Sequence, residues 1–209
     1  MFASPKSGRV AYTDPLWSWG GSPIKDTATP PTYHVYSSRM SSNCGILHYC
    51  MNSEVIHLTS PNATGPFVYR ETALAPRLNN WDNGAVHGIS VHRLPNGTYA
   101  LFYMGAMQTN LKENPNCTTG SGDSTANKTT GSHDGRRIGI ATSASLAGPW
   151  KRLDAPLFGP DPGAWDNIDV SNPAPIIHKD GSVIMLCNNT RKSTRCVIPC
   201  FSFVLNLRD

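Results

Sequence analysis

The sequence predicts an all-β fold built from short antiparallel units. The clearest unit lies within residues 84–104, where the apolar runs Ile89–Val91 and Tyr99–Tyr103 flank a Pro95-Asn96-Gly97 turn. Asn-Gly suits the left-handed backbone of a tight turn, and the flanks are rich in β-branched and aromatic residues, so a β-hairpin is expected here. The 18 glycines and 17 prolines favour turns and short strands over long helices.

Two modules alternate along the chain, which is the second observation behind this fold class. Related hairpins begin near Gly21 and Asn172. A strand that leads into Gly-Pro-aromatic occurs twice, in residues 54–67 and 137–150. Periodic all-β units of this kind are typical of a β-propeller, whose blades carry about four strands each.

Charge and cysteine patterns exclude several classes of function. The net charge is only +4, and the positive residues are scattered. No apolar stretch reaches the ~20 residues that cross a bilayer, so we expect neither a nucleic-acid nor a membrane partner. The N-terminus lacks the apolar segment of a signal peptide. The six cysteines include no C-x-x-C pair, and His48 and His57 have no third ligand at metal-like spacing, so no metal and no cofactor is expected.

Polar and aromatic residues collect where the first strand of each unit begins. These starts are Gly21-Ser22, His87-Gly88 and Asn172-Pro173, with His87 at the position that Gly20 or Gly21 holds in the first unit. Blade-first strands line the central channel of a propeller, so these residues are expected to face a ligand. The alternative is that they are polar groups bonded to the neighbouring blade.

Trp17 and Trp19 are spaced to project to the same side of an extended segment. Flanked by Gly20-Gly21, they suit a wall on which a sugar ring stacks. The alternative is that these large aromatic side chains fill the core or a junction between blades.

Three carboxylates, Asp161, Asp166 and Asp169, precede the third channel-lining strand. Such a cluster suits acid–base chemistry or cation binding, although the spacing does not match a calcium loop. Loop carboxylates also serve as turn formers and caps, which is the alternative.

The units define the expected domain boundaries. Residues 1–13 are expected to be an irregular tail, and residues 14–187 to form the blades, with a flexible insertion at 107–135 that is rich in Thr, Asn, Gly and Ser. The repeat is lost within residues 188–209. We therefore expect an atypical C-terminal tail, as a truncated or mis-spliced end would give.

Three stretches carry a resemblance to a known family: residues 17–24 (WSWGGSPI), 95–104 (PNGTYALFYM) and 137–150 (RIGIATSASLAGPW). They resemble the five-bladed β-propeller glycoside hydrolases, above all family 43, the arabinanase/β-xylosidase type. The resemblance covers about residues 14–187. It implies a partial five-bladed β-propeller of about two and a half blades, and an oligo- or polysaccharide as the partner.

The resemblance also implies hydrolysis of an O-glycosyl bond between two carboxyl groups. In family 43 a base Asp, usually as Asp-Pro, begins the first blade, a second Asp begins the third, and a general-acid Glu lies on the fourth. Here Asp14-Pro15 lies eight residues before Ser22-Pro23, and Asp169 lies three residues before Asn172. Asp14 and Asp169 are therefore the catalytic candidates. The expected sugar-contacting residues are Trp17, Trp19, Ser22, His87 and Asn172.

Two other functions stay open at this point. Ser22 and Asn172 stand where the family has acids, which favours a non-catalytic propeller that only binds sugar. A propeller that serves as a scaffold for protein partners is the third possibility, and tryptophans buried between blades favour it.

Overall fold

The computed structural model describes residues 18–41, 49–107, 134–161, 163, 169–191 and 194–204. Several sequence-based expectations fall outside these ranges. They concern Asp14, Trp17, His48, Asp166, the tail 1–13 and nearly all of the insertion at 107–135.

Within these ranges eleven strands form three antiparallel sheets, which we call blades 1 to 3. Blade 1 consists of β1 (Ser18–Lys25), β2 (Tyr33–Met40), β3 (Ser53–Ser60) and β4 (Val68–Leu74). Blade 2 consists of β5 (Ala85–Arg93), β6 (Tyr99–Met107), β7 (Asp134–Ser143) and β8 (Lys151–Arg152). Blade 3 consists of β9 (Val170–Ile177), β10 (Ser182–Arg191) and β11 (Thr194–Val204). One helical turn, α1 (Tyr49–Asn52), lies between β2 and β3.

The strands of each blade are paired in chain order, so β1, β5 and β9 each form one edge of their sheet. These three edge strands lie side by side, because β5 contacts both β1 and β9. Each blade therefore brings its first strand to a common centre. We call the end of the blades at which β1, β5 and β9 begin the strand-start end.

The predicted hairpin turns are present in blades 2 and 3, and they have the same structure. In blade 2 the Asn96 side-chain oxygen accepts hydrogen bonds from the Thr98 N–H (3.1 Å) and hydroxyl (2.7 Å), and Gly97 has φ +90°. In blade 3 Asp180 accepts the same two bonds from Ser182, at 2.9 and 2.7 Å. A short polar side chain before glycine thus closes each turn.

Residues 188–191 and 194–204, which sequence analysis separates from the blades, lie in strands. Asn188–Arg191 complete β10, and Thr194–Val204 pair with β10 as the third strand of blade 3. Cys187 on β10 is buried and disulfide-bonded.

Apolar side chains pack between the blades. The largest cluster joins blades 1 and 2 through residues such as Tyr36, Val55, Val86 and Tyr103. A second cluster joins blades 2 and 3 through Phe102, Ile140, Val183 and Met185. Strand β6 is buried along almost its whole length because a blade covers each of its faces.

Blade 1 holds a chain of buried polar rings. His34 Nδ1 lies 2.8 Å from His57 Nε2, and His57 Nδ1 lies 3.3 Å from a carboxylate oxygen of Glu71. Tyr36 stacks on His57 at 4.9 Å, and its hydroxyl donates a hydrogen bond to the Leu146 carbonyl of blade 2. Burial lowers the pKa of both histidines, so the rings are held in their neutral form.

The buried histidines predict that the chain loses stability as the pH falls. Burial, together with the nearby Arg136, lowers the pKa of His87 to about 3. Below the ordinary value of about 6.5 the unfolded chain takes up a proton that folded His87 does not bind, so stability falls by about 1.4 kcal/mol per pH unit until about pH 3. Urea unfolding at pH 7.5 and pH 5 measures this slope.

A variant assigns that slope. His87→Gln is expected to make the pH dependence shallower, because the group that takes up the proton in the unfolded chain is removed. An unchanged slope in the His87→Gln variant would contradict this account.

Candidate functional site

Each of the three central strands has a bulge at the same place. The register of β1 on β2 shifts between Trp19 and Ser22, and the register of β5 on β6 shifts between His87 and Ser90. The register of β9 on β10 shifts in the same way between Ser171 and Ala174, which pair with Asn188 and Leu186 of β10. In every case three steps along the central strand oppose two steps along its partner, so one residue is extra.

The extra residue is introduced by a left-handed backbone conformation. Gly20 has φ +65°, Gly88 has φ +63°, and Asn172 has φ +53°. Among the described residues Asn172 is the only one other than glycine with a positive φ. Asn tolerates this region better than most residues because its short polar side chain can form local hydrogen bonds. Bulges are common beside active sites because they redirect side chains. This threefold feature therefore makes the strand-start end the candidate location of a functional site.

The bulges correct the alignment expected from the sequence. His87 occupies the position of Trp19 and Ser171, not that of Gly20 or Gly21, and Asn172 is equivalent to Gly88. The sequence-based alignment was displaced because the register is set by backbone pairing, which apolar periodicity does not reveal.

Trp19, Tyr49 and His87 form an aromatic cluster at the junction of blades 1 and 2. The Trp19 ring lies 5.7 Å from Tyr49 and 5.1 Å from His87, and Tyr49 meets His87 edge-on at 5.5 Å. Trp19 and Tyr49 are half-buried, whereas His87 is only 1% exposed. These contacts agree with the junction alternative for Trp19, although the residue is half-buried and not fully enclosed.

His87 is fixed by a hydrogen bond across the blades. Its Nδ1 lies 2.8 Å from the Ser53 hydroxyl, which donates to the Tyr49 carbonyl at 2.7 Å. Because the single hydroxyl proton is used there, His87 Nδ1 carries the proton and donates to Ser53. Nε2 is then an acceptor; it is buried and has no hydrogen-bond partner among the described residues.

Asp169 lies at the same end, in an ion pair with the second blade. Its Oδ2 accepts a hydrogen bond of 2.6 Å from Arg136 Nη2, and Asp169 is 7% exposed. The other oxygen, Oδ1, is buried without a hydrogen-bond partner in the described part of the chain. A buried acceptor without a donor is costly, so this atom is suited to receive a donor from a ligand or water.

Asn172 is exposed and Ser22 is half-buried. The Asn172 side-chain oxygen would be 3.3 Å from a Cβ added to Gly88, so it lies directly over the bulge of the second blade. The Ser22 hydroxyl accepts a hydrogen bond of 2.9 Å from the Val91 N–H, which links β1 to β5.

The structure therefore gathers Trp19, His87, Asp169 and Asn172 at the strand-start end. Ser22 lies on the far side of the β1 bulge, where it links blades. Sequence reasoning missed Tyr49, Ser53 and Arg136, which hold His87 and Asp169 in place. None of the three carries a motif; their roles arise only from contacts between separate strands.

Among the described residues, no group of three or more His, Cys, Asp or Glu side chains is arranged to hold a metal ion. In the same part of the chain no helix has the length and apolar character needed to cross a membrane.

Comparison with solved structures identifies similar folds. A family 117 glycoside hydrolase, Zg3597, from the marine bacterium Zobellia galactanivorans matches with a TM-score of 0.59 and 18% identity, over 87% of this chain and 50% of that one. CoXyl43, a family 43 β-xylosidase/α-arabinofuranosidase from a compost microbial metagenome, matches with a TM-score of 0.51 and 17% identity, over 82% and 42%. A GH43_1 enzyme from Xanthomonas citri gives 0.53 and 13%, over 82% and 40%.

These matches concern the fold. The chain spans half or less of the length of these three proteins, and at such low identity only the architecture is shared. The predicted fold class, all-β with part of a β-propeller, is confirmed. No protein-family model matches the sequence, and no curated protein matches it.

Proposed function

We propose that this chain is part of a carbohydrate-active β-propeller of the glycoside hydrolase family 43 type. In this proposal its blades, which begin near residue 14 and carry the insertion at 107–135, bind an oligo- or polysaccharide at the strand-start end. The proposal rests on the threefold left-handed bulge at this end of the blades, where Trp19, Asn172 and the ion pair of Arg136 and Asp169 lie.

The surface at this end suits a sugar. A half-buried tryptophan offers an apolar face, and the exposed Asn172 amide both donates and accepts hydrogen bonds. Sugar hydroxyls are donors that can satisfy the vacant Asp169 Oδ1. His87 acts here as a positioning residue, since its buried ring supports Trp19 and Tyr49.

Within this proposal Asp169 is the carboxylate nearest the glycosidic bond, and Asp14 is the second catalytic candidate. Hydrolysis needs two carboxyl groups on opposite sides of the bond. Asp169 is held by Arg136, so its free oxygen is oriented rather than mobile. The resemblance assigns the general acid to a Glu on a fourth blade, which is not among the three described blades.

A second function, saccharide binding without hydrolysis, is favoured by one observation. Asn172 occupies the left-handed bulge position of the third blade with a neutral amide, where the resemblance implies an acid. Reducing-sugar release separates the two functions, because a binding protein retains the saccharide without cleaving it.

Asp169→Asn tests the proposal directly. Calorimetric titration with neutral xylo- and arabino-oligosaccharides is expected to show affinity about tenfold weaker, because a hydrogen bond to a charged group is lost. Asp161→Asn provides the matched control, since Asp161 is exposed and caps the Gly163 N–H in the preceding loop. Equal affinity of both variants and the unmodified chain would contradict the assignment of Asp169.

A further inference from the structure

A second cleft lies at the opposite end of the blades from the strand-start end. It has a volume of about 580 Å³ and opens between the turns of the β5–β6 and β9–β10 hairpins. We call it the turn cleft; it is lined by His92, Arg93, Leu94, Pro95, Gly97, Ile177, His178 and Lys179. His87 and Arg93 are six residues apart on β5, which corresponds to about 20 Å of strand. The turn cleft is therefore separate from the strand-start end.

Both walls of the turn cleft are fixed by their own turns. The Leu94 N–H donates to the Thr98 carbonyl at 2.8 Å, and the His178 N–H donates to the Ser182 carbonyl at 2.8 Å. Arg93 Nη2 would be 3.8 Å from a Cβ on Gly97, so the guanidinium extends over its own turn. The floor includes His92, whose Nε2 lies 2.8 Å from the Ser90 hydroxyl.

The lining carries two cationic side chains and no carboxylate. Arg93 and Lys179 are cations at neutral pH, and neither forms an ion pair within the described ranges. No Asp or Glu belongs to the lining. The adjacent Asp180 carboxylate is engaged with Ser182 in its turn, and its pKa is lowered by that bond.

We propose that the turn cleft binds an oxyanion group, a carboxylate or a sulfate ester, carried by an acidic saccharide. Two cations from neighbouring blades face one opening, and Pro95 and Ile177 add accessible apolar surface against which a sugar ring packs. The saccharide part of this proposal rests on the proposed function. The cleft would then anchor a second segment of an acidic polymer, away from the strand-start end.

Calorimetric titration of the full chain tests the turn cleft with three probes of equal length: a galacturonate hexamer, a sulfated dextran hexamer and a neutral xylohexaose. Arg93→Gln and Lys179→Gln are each expected to weaken binding of an acidic probe about fivefold, as expected for an exposed ion pair. The loss is expected to shrink at high salt because the charges are screened. Lys151→Gln removes the same charge from an exposed position on β8 and is expected to change nothing.

The comparison of the two acidic probes identifies the oxyanion. Equal affinity of the Arg93→Gln, Lys179→Gln and unmodified chains for both acidic probes, or no binding of either probe, would overturn the proposal. Trp19→Ala distinguishes it from the proposed function. If the affinity for an acidic probe depends on Trp19 but not on Arg93 or Lys179, the turn-cleft proposal is overturned and the proposed function is not. If the affinity for an acidic probe depends on the two cations and xylohexaose does not bind, the turn-cleft proposal is supported and the proposed saccharide site at the strand-start end is contradicted.

Discussion

Asp82→Ala is expected to destabilise the folded chain by about 2–4 kcal/mol, because it leaves the buried Tyr103 hydroxyl and two partly buried guanidinium groups without their acceptor. Asp82 is fully buried. Its Oδ1 lies 2.9 Å from Arg77 Nε, while its Oδ2 accepts hydrogen bonds from Arg152 Nη1 (2.9 Å) and the Tyr103 hydroxyl (3.0 Å). Chemical denaturation followed by circular dichroism measures the change in the free energy of unfolding.

Asp154→Ala is the matched control. Asp154 also pairs with Arg77, at 3.3 Å, but its side chain is 96% exposed, so its loss is expected to have little effect on stability. Similar unfolding midpoints for Asp82→Ala and the unmodified chain would show that the buried cluster does not hold the fold together.

This cluster also bears on the candidate site. Asp82 lies in the connection between blades 1 and 2, and Arg152 of blade 2 binds the Ala75 carbonyl in the same connection at 2.7 Å. Trp81 packs so closely over Gly105 that a Cβ there would lie 2.4 Å from its ring. The connection is thereby fastened to blade 2, just before the strand that carries His87.

Trp19→Ala is expected to weaken binding of neutral oligosaccharides by at least about tenfold, since the apolar face that stacks on a sugar ring is lost. The same titration with Tyr69→Ala is the control. Tyr69 is 38% exposed on the outer strand β4, where Arg39 lies over its ring, and it is far from the central strands in the sheet order. Its removal is expected to leave the affinity unchanged.

Measuring stability beside affinity distinguishes a packing role of Trp19 from a binding role. If the tryptophan served only to fill the blade junction, its loss would lower stability and leave affinity intact, because Tyr49 and His87 would still close the contact. Unfolding curves of the Trp19→Ala variant, measured beside its affinity, separate packing from binding.

Local chemistry explains how much of the fold could be predicted. The turns at Asn96-Gly97 and Asp180-Gly181 depend on side chains within two residues of the bonds they make, and both are present as the sequence indicates. The Gly-Pro-aromatic corners likewise recur with the same backbone, with a positive φ at Gly65 and Gly148. Such short-range signals are sufficient to define the blades.

The candidate site depends on contacts that the sequence does not display. The hydrogen bond of Ser53 to His87 spans 34 residues, and the ion pair of Arg136 and Asp169 spans 33. Backbone pairing makes Trp19 the equivalent of His87, in place of Gly20 or Gly21, because register does not follow apolar periodicity alone. Asn172 is predicted from its strand-start position and Trp19 from its spacing to Trp17 and the glycines that follow, whereas the residues that support the site are not predicted.

The most direct test of the central claim, that saccharide binds at the strand-start end, is a map of backbone amide shifts from ¹H–¹⁵N spectra during titration with the tightest-binding neutral oligosaccharide. The account predicts that the largest shifts occur at Trp19, Gly88 and Asn172 and at the neighbouring Asp169. Shifts confined to the outer strands or to the turns at the other end, with none at the three bulges, would contradict it.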